Sequence, residues 1–248
     1  MKLFLHQLRN EQLIFWRSRE AAVFVFFFPI MLLLLLGAVY DGDYRGHPEI
    51  DYLVAGLLGY GTANTAFGGL AILLVVRREM GILKRIRSTP LPSSYYLASA
   101  LVSMLLVFAL QAVAIVVVAK VVYGASWPPR PFSLVAASAV GAAAFAAMGV
   151  GLAGLIRSAE GASAVVNVVV LPMAFLSGGF GPPSRYPKLM QDVAELLPLK
   201  HFIDAITGIL LDSEPVTGQG WALLVVAAWG VAGLLLAVRA FTWEPREA

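Results

Sequence analysis

At 248 residues, 59% of them hydrophobic and only 13% charged, with a mean hydropathy of +0.80, the chain is too apolar for an ordinary soluble domain. The absence of cysteine excludes disulfides, cysteine-held metals and thiol chemistry, and it leaves the redox compartment unread. A formal charge of +3, unevenly spread, suits a membrane orientation signal and gives no reason to invoke nucleic acid, so the expected partners are the lipid bilayer and other proteins.

A helix needs about 20 apolar residues to cross about 30 Å of hydrocarbon. Six runs qualify, at roughly 21–40, 52–76, 95–123, 132–156, 162–180 and 221–241. They predict an all-α integral membrane protein with one transmembrane domain over 1–248. Residues 1–20 mix Lys2, Arg9, Arg17 and Arg19 with a partial apolar stripe of Phe4, Leu5, Leu8, Phe15 and Trp16, which predicts an interfacial helix rather than a signal peptide. The first span carries Phe28, Pro29 and Met31 and leads to an acidic segment, Asp41, Asp43, Arg45, Glu49 and Asp51, suited to the outside. The second span is rich in glycine (Gly56, Gly59, Gly61, Gly68, Gly69) and carries Thr62, Asn64 and Thr65. Close helix packing and substrate contact are both open for it.

Arg77 to Pro92 forms a basic loop in which Arg77, Arg78, Lys84, Arg85 and Arg87 stand against Glu79 alone. By the positive-inside rule this loop and both termini, the latter with Arg239, Trp243 and Arg246, face the cytosol. Ile82, Leu83 and Ile86 share one face of a short helix that two prolines, Pro90 and Pro92, end near Ser88. That face either docks on a partner or belongs to a loop that only sets orientation.

Span three holds Gln111 and Lys120. Trp127, Pro128, Pro129 and Pro131 make an external turn, and span four places Ala143, Ala147 and Gly151 at four-residue intervals, as in closely packed helices. Arg157 and Glu160 form a brief cytosolic turn. Span five carries Asn167 and Pro172 and breaks at 175–183. Residues 182–220 then form an external helical segment, whose apolar piece 201–211 is too short to cross and must lie at the interface or re-enter.

Two stretches together resemble the permease subunits of type-2 ABC exporters. The first is the basic loop, on Arg78, Glu79, Gly81, Leu83, Arg85, Thr89, Pro90 and Leu91. Ile82 stands where a threonine or other small residue is usual. The second is Phe175, Leu176, Ser177, Gly178, Pro182, Pro187, Leu197, Pro198 and Leu199, after which a frequent arginine is replaced by Thr207 and Gly208. The resemblance covers nearly the whole chain. It implies a prokaryotic plasma-membrane exporter subunit that pairs with a second copy or a paralogue and binds two copies of a separately encoded ABC ATPase, which holds ATP and Mg. It also implies an ATPase-coupling segment formed by Arg78, Glu79, Gly81, Ile82, Leu83, Arg85, Ile86, Arg87, Thr89 and Pro90, with Ile82, Leu83 and Ile86 entering the partner's groove.

The chain carries no cofactor signature of its own, because no lysine directly follows a glycine and a phosphate-binding P-loop is therefore missing. No acid lies deep in a span, so ion coupling has no carrier and energy must come from a partner. His6, His47 and His201 are predicted too far apart for a metal, and no metal site is expected. An intramembrane hydrolase would need Ser177 and His201 within hydrogen-bond reach. The apolar spans suit a hydrophobic or amphipathic small molecule or lipid as cargo, with a lipid-linked glycan as the alternative. Phe28, Met31, Asn64, Phe67, Phe175 and the gate Ser177, Gly178, Gly179 and Phe180 are the candidate path.

Overall fold

The computed structural model describes residues 2–40, 42–44 and 46–244. Asp41, Arg45 and Arg246, read above as flanking charges, lie outside them. Eleven α-helices follow one another: α1 (Lys2–Arg17), α2 (Arg19–Gly37), α3 (Glu49–Ala63), α4 (Leu70–Glu79), α5 (Ile82–Arg87), α6 (Ser93–Tyr123), α7 (Pro131–Leu155), α8 (Ala159–Leu176), α9 (Lys188–Ala194), α10 (Pro198–Leu210) and α11 (Gly220–Ala240). A π-helical stretch, Asn64–Gly69, joins α3 to α4. The expectation of helix alone needs one small correction, an antiparallel ribbon of β1 (Asp43–Tyr44) and β2 (His47–Pro48).

Five stretches are long and apolar enough to cross a membrane: Glu49–Glu79, Ser93–Tyr123, Pro131–Leu155, Ala159–Leu176 and Val216–Ala240. The count rises to six only if the bent pair Lys2–Arg17 and Ala22–Gly37, which meet at 69°, is one span. Pro29 inside α2 has no N–H to give the carbonyl of Val25, four residues back. Gln111 of α6 supplies the missing donor, its Nε2 lying 3.0 Å from that oxygen. In hydrocarbon no water can do this, so the mid-span glutamine and the mid-span proline are one feature.

The tightest packing joins α7 to α11. A methyl group added at Gly233 would strike the Met148 backbone, and one at Gly230 would lie 2.7 Å from that of Ala144. The seam therefore runs along Ala144, Met148 and Gly151, while Ala143 is exposed and Ala147 only half-buried. Small residues occupy nearly every face of α7, so of the row picked by spacing alone only Gly151 lies in the seam. Glycines also seat α10: Ile203 fills the notch at Gly59 and Phe202 the one at Gly141. Each notch lies ten residues past its helix start at Glu49 or Pro131, about 15 Å at about 1.5 Å per residue. α10 thus dips into the bundle rather than lying flat across its end.

The loops gather at two ends. One end holds α1, α5, the 156–158 turn and the exit of α11. The other holds the ribbon, the 124–130 turn and 177–219, where the Asp51 carboxylate accepts the Ser126 N–H at 2.8 Å. Glu49 and Asp51, of the acidic segment expected on the outside, are buried in the first turn of α3, where a helix N-terminus favours negative charge.

Candidate functional site

The basic loop begins where α4 ends. Gly81 has φ +69°, the left-handed conformation that only glycine adopts freely, and an added methyl would meet nothing, so backbone geometry rather than space demands glycine here. The chain turns there into α5. Hydroxyls close the helix: Ser88 donates to the Arg85 carbonyl at 2.7 Å, and Thr89 donates to Ile86 at 2.6 Å while accepting from the Leu91 N–H at 3.3 Å. The Ser-Thr-Pro-Leu ending is therefore a C-terminal cap followed by a proline stop.

Leu83 is 0% exposed and belongs to the core of the membrane bundle, and Ile86 packs against that core. Of the three residues expected to enter a partner's groove, Leu83 is covered by its own chain, which cannot leave it in water, while Ile82 and Ile86 are half-buried. Facing outward are Glu79, Met80 (63% exposed), Lys84, Arg85, Arg87, Thr89 and Pro90, with Gly81 and Ile82 half-buried.

Two of the loop's arginines are also turned inward. The Arg77 guanidinium grips both oxygens of Glu11 on α1 at 2.7 Å and donates to the Tyr96 hydroxyl of α6 at 2.6 Å. Arg78, 0% exposed, donates to the carbonyls of Ala153 at 2.9 Å and Ile156 at 2.5 Å, which cap the end of α7. Both lie at helix-end carbonyls or carboxylates that need a cation. Arg78, expected at an ATPase contact, is fully buried. Glu11 was missed, although a single acid within the amphipathic 2–17 stretch was the available signal.

The candidate path residues fall in separate places. Phe28 and Met31 stand on α2, which packs on α3 and α6, and Phe28 stacks on Phe24. Asn64 and Phe67 lie on the π-helical stretch, a geometry often found at functional positions. Phe67 also lines an apolar groove of about 440 Å³ with Met148, Met173, Leu176 and Trp229. Phe175 is 57% exposed, and its ring meets that of Phe180 at 4.7 Å; Phe180 in turn meets Tyr60 at 5.1 Å. Ser177 to Phe180 are all buried. The carbonyls of Gly178 and Gly179 press on Gly56, and Tyr40 donates to the Phe180 carbonyl at 2.8 Å. Gly178 takes φ +83°, and an added methyl would strike the Tyr52 hydroxyl.

The hydrolase alternative lacks its dyad. The Ser177 hydroxyl is buried without a hydrogen-bond partner among the described residues, whereas a ring nitrogen of His201 lies 2.9 Å from the Glu195 carbonyl. Among the described residues no group of three or more His, Asp or Glu side chains is placed to hold a metal ion.

Apolar spans, a capped basic loop at one end and α10 dipping in from the other define an integral membrane protein. The chain belongs to the ABC-2 type transporter family, whose model matches residues 2–211. It is 25% identical to YvfS of Bacillus subtilis strain 168, which bears the name of a transport permease, over 92% of this chain and 89% of that one. It is 33% identical to nodulation protein J of Sinorhizobium fredii over 48% of this chain and 44% of the relative. It is likewise 33% identical to the linearmycin resistance permease protein LnrN of Bacillus subtilis over 39% of this chain and 23% of the relative.

Proposed function

We propose that this chain is the membrane subunit of an ATP-driven exporter of hydrophobic or amphipathic small molecules or lipids. It pairs with a second permease and takes its energy from two copies of a separate ABC ATPase. Membership of the ABC-2 family supports the transporter reading, and the observation that carries the coupling is the outward face of α5. Lys84, Arg85 and Arg87 stand exposed on a helix anchored from behind by Leu83, and the exposed Met80 side chain stands on the turn before it. A cationic face with one apolar prong fits an acidic-rimmed groove on the ATPase. In this reading the basic end, with both termini, faces the cytosol.

Cargo follows from the walls. The groove at Phe67 and a second, of about 460 Å³ between α6 and α7, are lined almost wholly by aliphatic and aromatic side chains. Such surfaces select apolar solutes, and the name of the linearmycin resistance relative agrees with export of a small molecule. The Ser177 to Phe180 plug closes the far end and opens during transport.

The triple variant Lys84→Glu, Arg85→Glu, Arg87→Glu keeps Leu83 and tests the docking face. It is expected to abolish co-purification of the ATPase in mild detergent while the permease still melts as before. Undiminished co-purification overturns the docking face. For cargo, a deletion strain is expected to gain sensitivity to a panel of lipophilic toxins or to change its lipid profile. Loss of a surface glycan with both of those unchanged overturns the cargo class.

A further inference from the structure

Consecutive residues on a helix point about 100° apart, so two adjacent arginines at the end of α4 cannot serve one neighbour. Arg77 reaches α1 and α6 through Glu11 and Tyr96, and Arg78 reaches α7 through the Ala153 and Ile156 carbonyls. The far ends of these ties are themselves fixed. Gln12 of α1 donates to the hydroxyl and carbonyl of Ser103 on α6, at 2.9 and 2.8 Å. The end of α7 lies against the exit of α11 so closely that a methyl at Gly154 would come within 2.8 Å of the Ala240 backbone. The basic loop therefore sits at the junction of two arms, α1 with α6 and α7 with α11, and each arm is held by one buried guanidinium.

We infer that Arg77 and Arg78 are positioning residues that make the basic loop the rigid hub of these two arms, so that a displacement of α5 is delivered to both at once. A buried, multiply bonded guanidinium holds one geometry because every alternative leaves a charge or a carbonyl unpaired away from water. The inference uses the exporter reading above only to say what pushes α5.

The cysteine-free chain allows spin labels at chosen exposed positions. One pair, at Ser88→Cys and Arg9→Cys, spans the loop and α1; the other, at Ser88→Cys and Arg157→Cys, spans the loop and the end of α7. In the otherwise unaltered permease without nucleotide, both distance distributions are expected to be narrow. Glu11→Gln is expected to widen the first by about twofold and leave the second unchanged, and Arg78→Met to do the reverse. The exchange Glu11→Arg with Arg77→Glu restores an ion pair and is expected to restore the first distribution. Arg78→Lys keeps a single donor group and stands between the parent and Arg78→Met, which also covers the case in which Arg78→Met fails to fold. A distribution that stays narrow in its own variant, or both widening together in either variant, overturns the hub. With the co-purified ATPase and ADP-vanadate, both arms are expected to shift together in the parent permease. If no ATPase binds and vanadate moves nothing, the exporter reading fails, while the nucleotide-free widths still decide the hub.

Discussion

The two ends of the bundle are held by different physics. At the basic end the ties are buried charges: Arg77 with Glu11 and Tyr96, and Arg78 on the last carbonyls of α7. At the other end matched shapes stand beside the Ser126–Asp51 and Tyr40–Phe180 hydrogen bonds: Ile203 and Phe202 of α10 drop into glycine notches, and the Gly178 and Gly179 carbonyls rest on Gly56. Charge-assisted hydrogen bonds fix direction as well as distance, which would suit the end proposed to take up the ATPase's push. Apolar surfaces seated in notches are held by dispersion and fit, and can separate without stranding a charge, which would suit the end proposed to open.

The largest effect in this comparison should come from splitting the ion pair. Arg77→Met leaves the Glu11 carboxylate buried beside Tyr96 and is expected to cost about 3–5 kcal/mol, read as a loss of thermal stability in detergent. The double variant Glu11→Met with Arg77→Met removes both charges and should recover most of it. Equal losses from the single and double variants would mean that the pair contributes packing rather than charge.

Next comes the glycine end. Gly56→Val places carbon where the Gly178 and Gly179 carbonyls now lie, 2.8 and 2.7 Å from the first added atom, and backbone cannot swing aside as a side chain can. Overpacking of this kind costs about 1–3 kcal/mol. The loss should be local, lifting the plug. A cysteine at Ser177, fully buried in the parent, is expected to react with a maleimide only when Gly56→Val is present. Protection that persists would show that the plug is held by something other than its seat on α3.

A smaller effect belongs to the middle of the membrane. Gln111→Leu leaves the Val25 carbonyl without a donor, and interhelical hydrogen bonds of this kind average about 0.6 kcal/mol. The variant should fold with slightly lowered stability, and adding Pro29→Ala should erase that loss, because the new alanine returns an N–H to the same carbonyl. Smallest of all is Arg87→Ala on the exposed face of α5. It should leave the melting temperature unchanged while weakening ATPase retention, the reverse of what Gln111→Leu does.

Much of this was legible in the residues. Five apolar stretches agree with the predicted runs to within a few residues, and the end of α5 falls at Arg87 ahead of Ser88 as its prolines require. Misreadings share one cause. Periodicity shows that Leu83 and Ile86 share a face and that Ala143, Ala147 and Gly151 align, but not what that face meets. Arg77 was read as a cation of a cytosolic loop and Arg78 as part of a partner contact, and only the fold reveals the carboxylate and carbonyls waiting for them.

The sequence by itself determined that the chain lives in a membrane, where its helices start and stop, and which end is basic. Those are local properties, set by hydrophobicity, by proline and by the left-handed turn that Gly81 permits. Tertiary structure decided which charges are spent inside, that Gln111 completes the helix broken by Pro29, and that α10 dips to Gly59 and Gly141. Each of these joins residues tens of positions apart, and a hydrogen bond or a van der Waals notch acts over a few ångströms of space, whatever the distance along the chain.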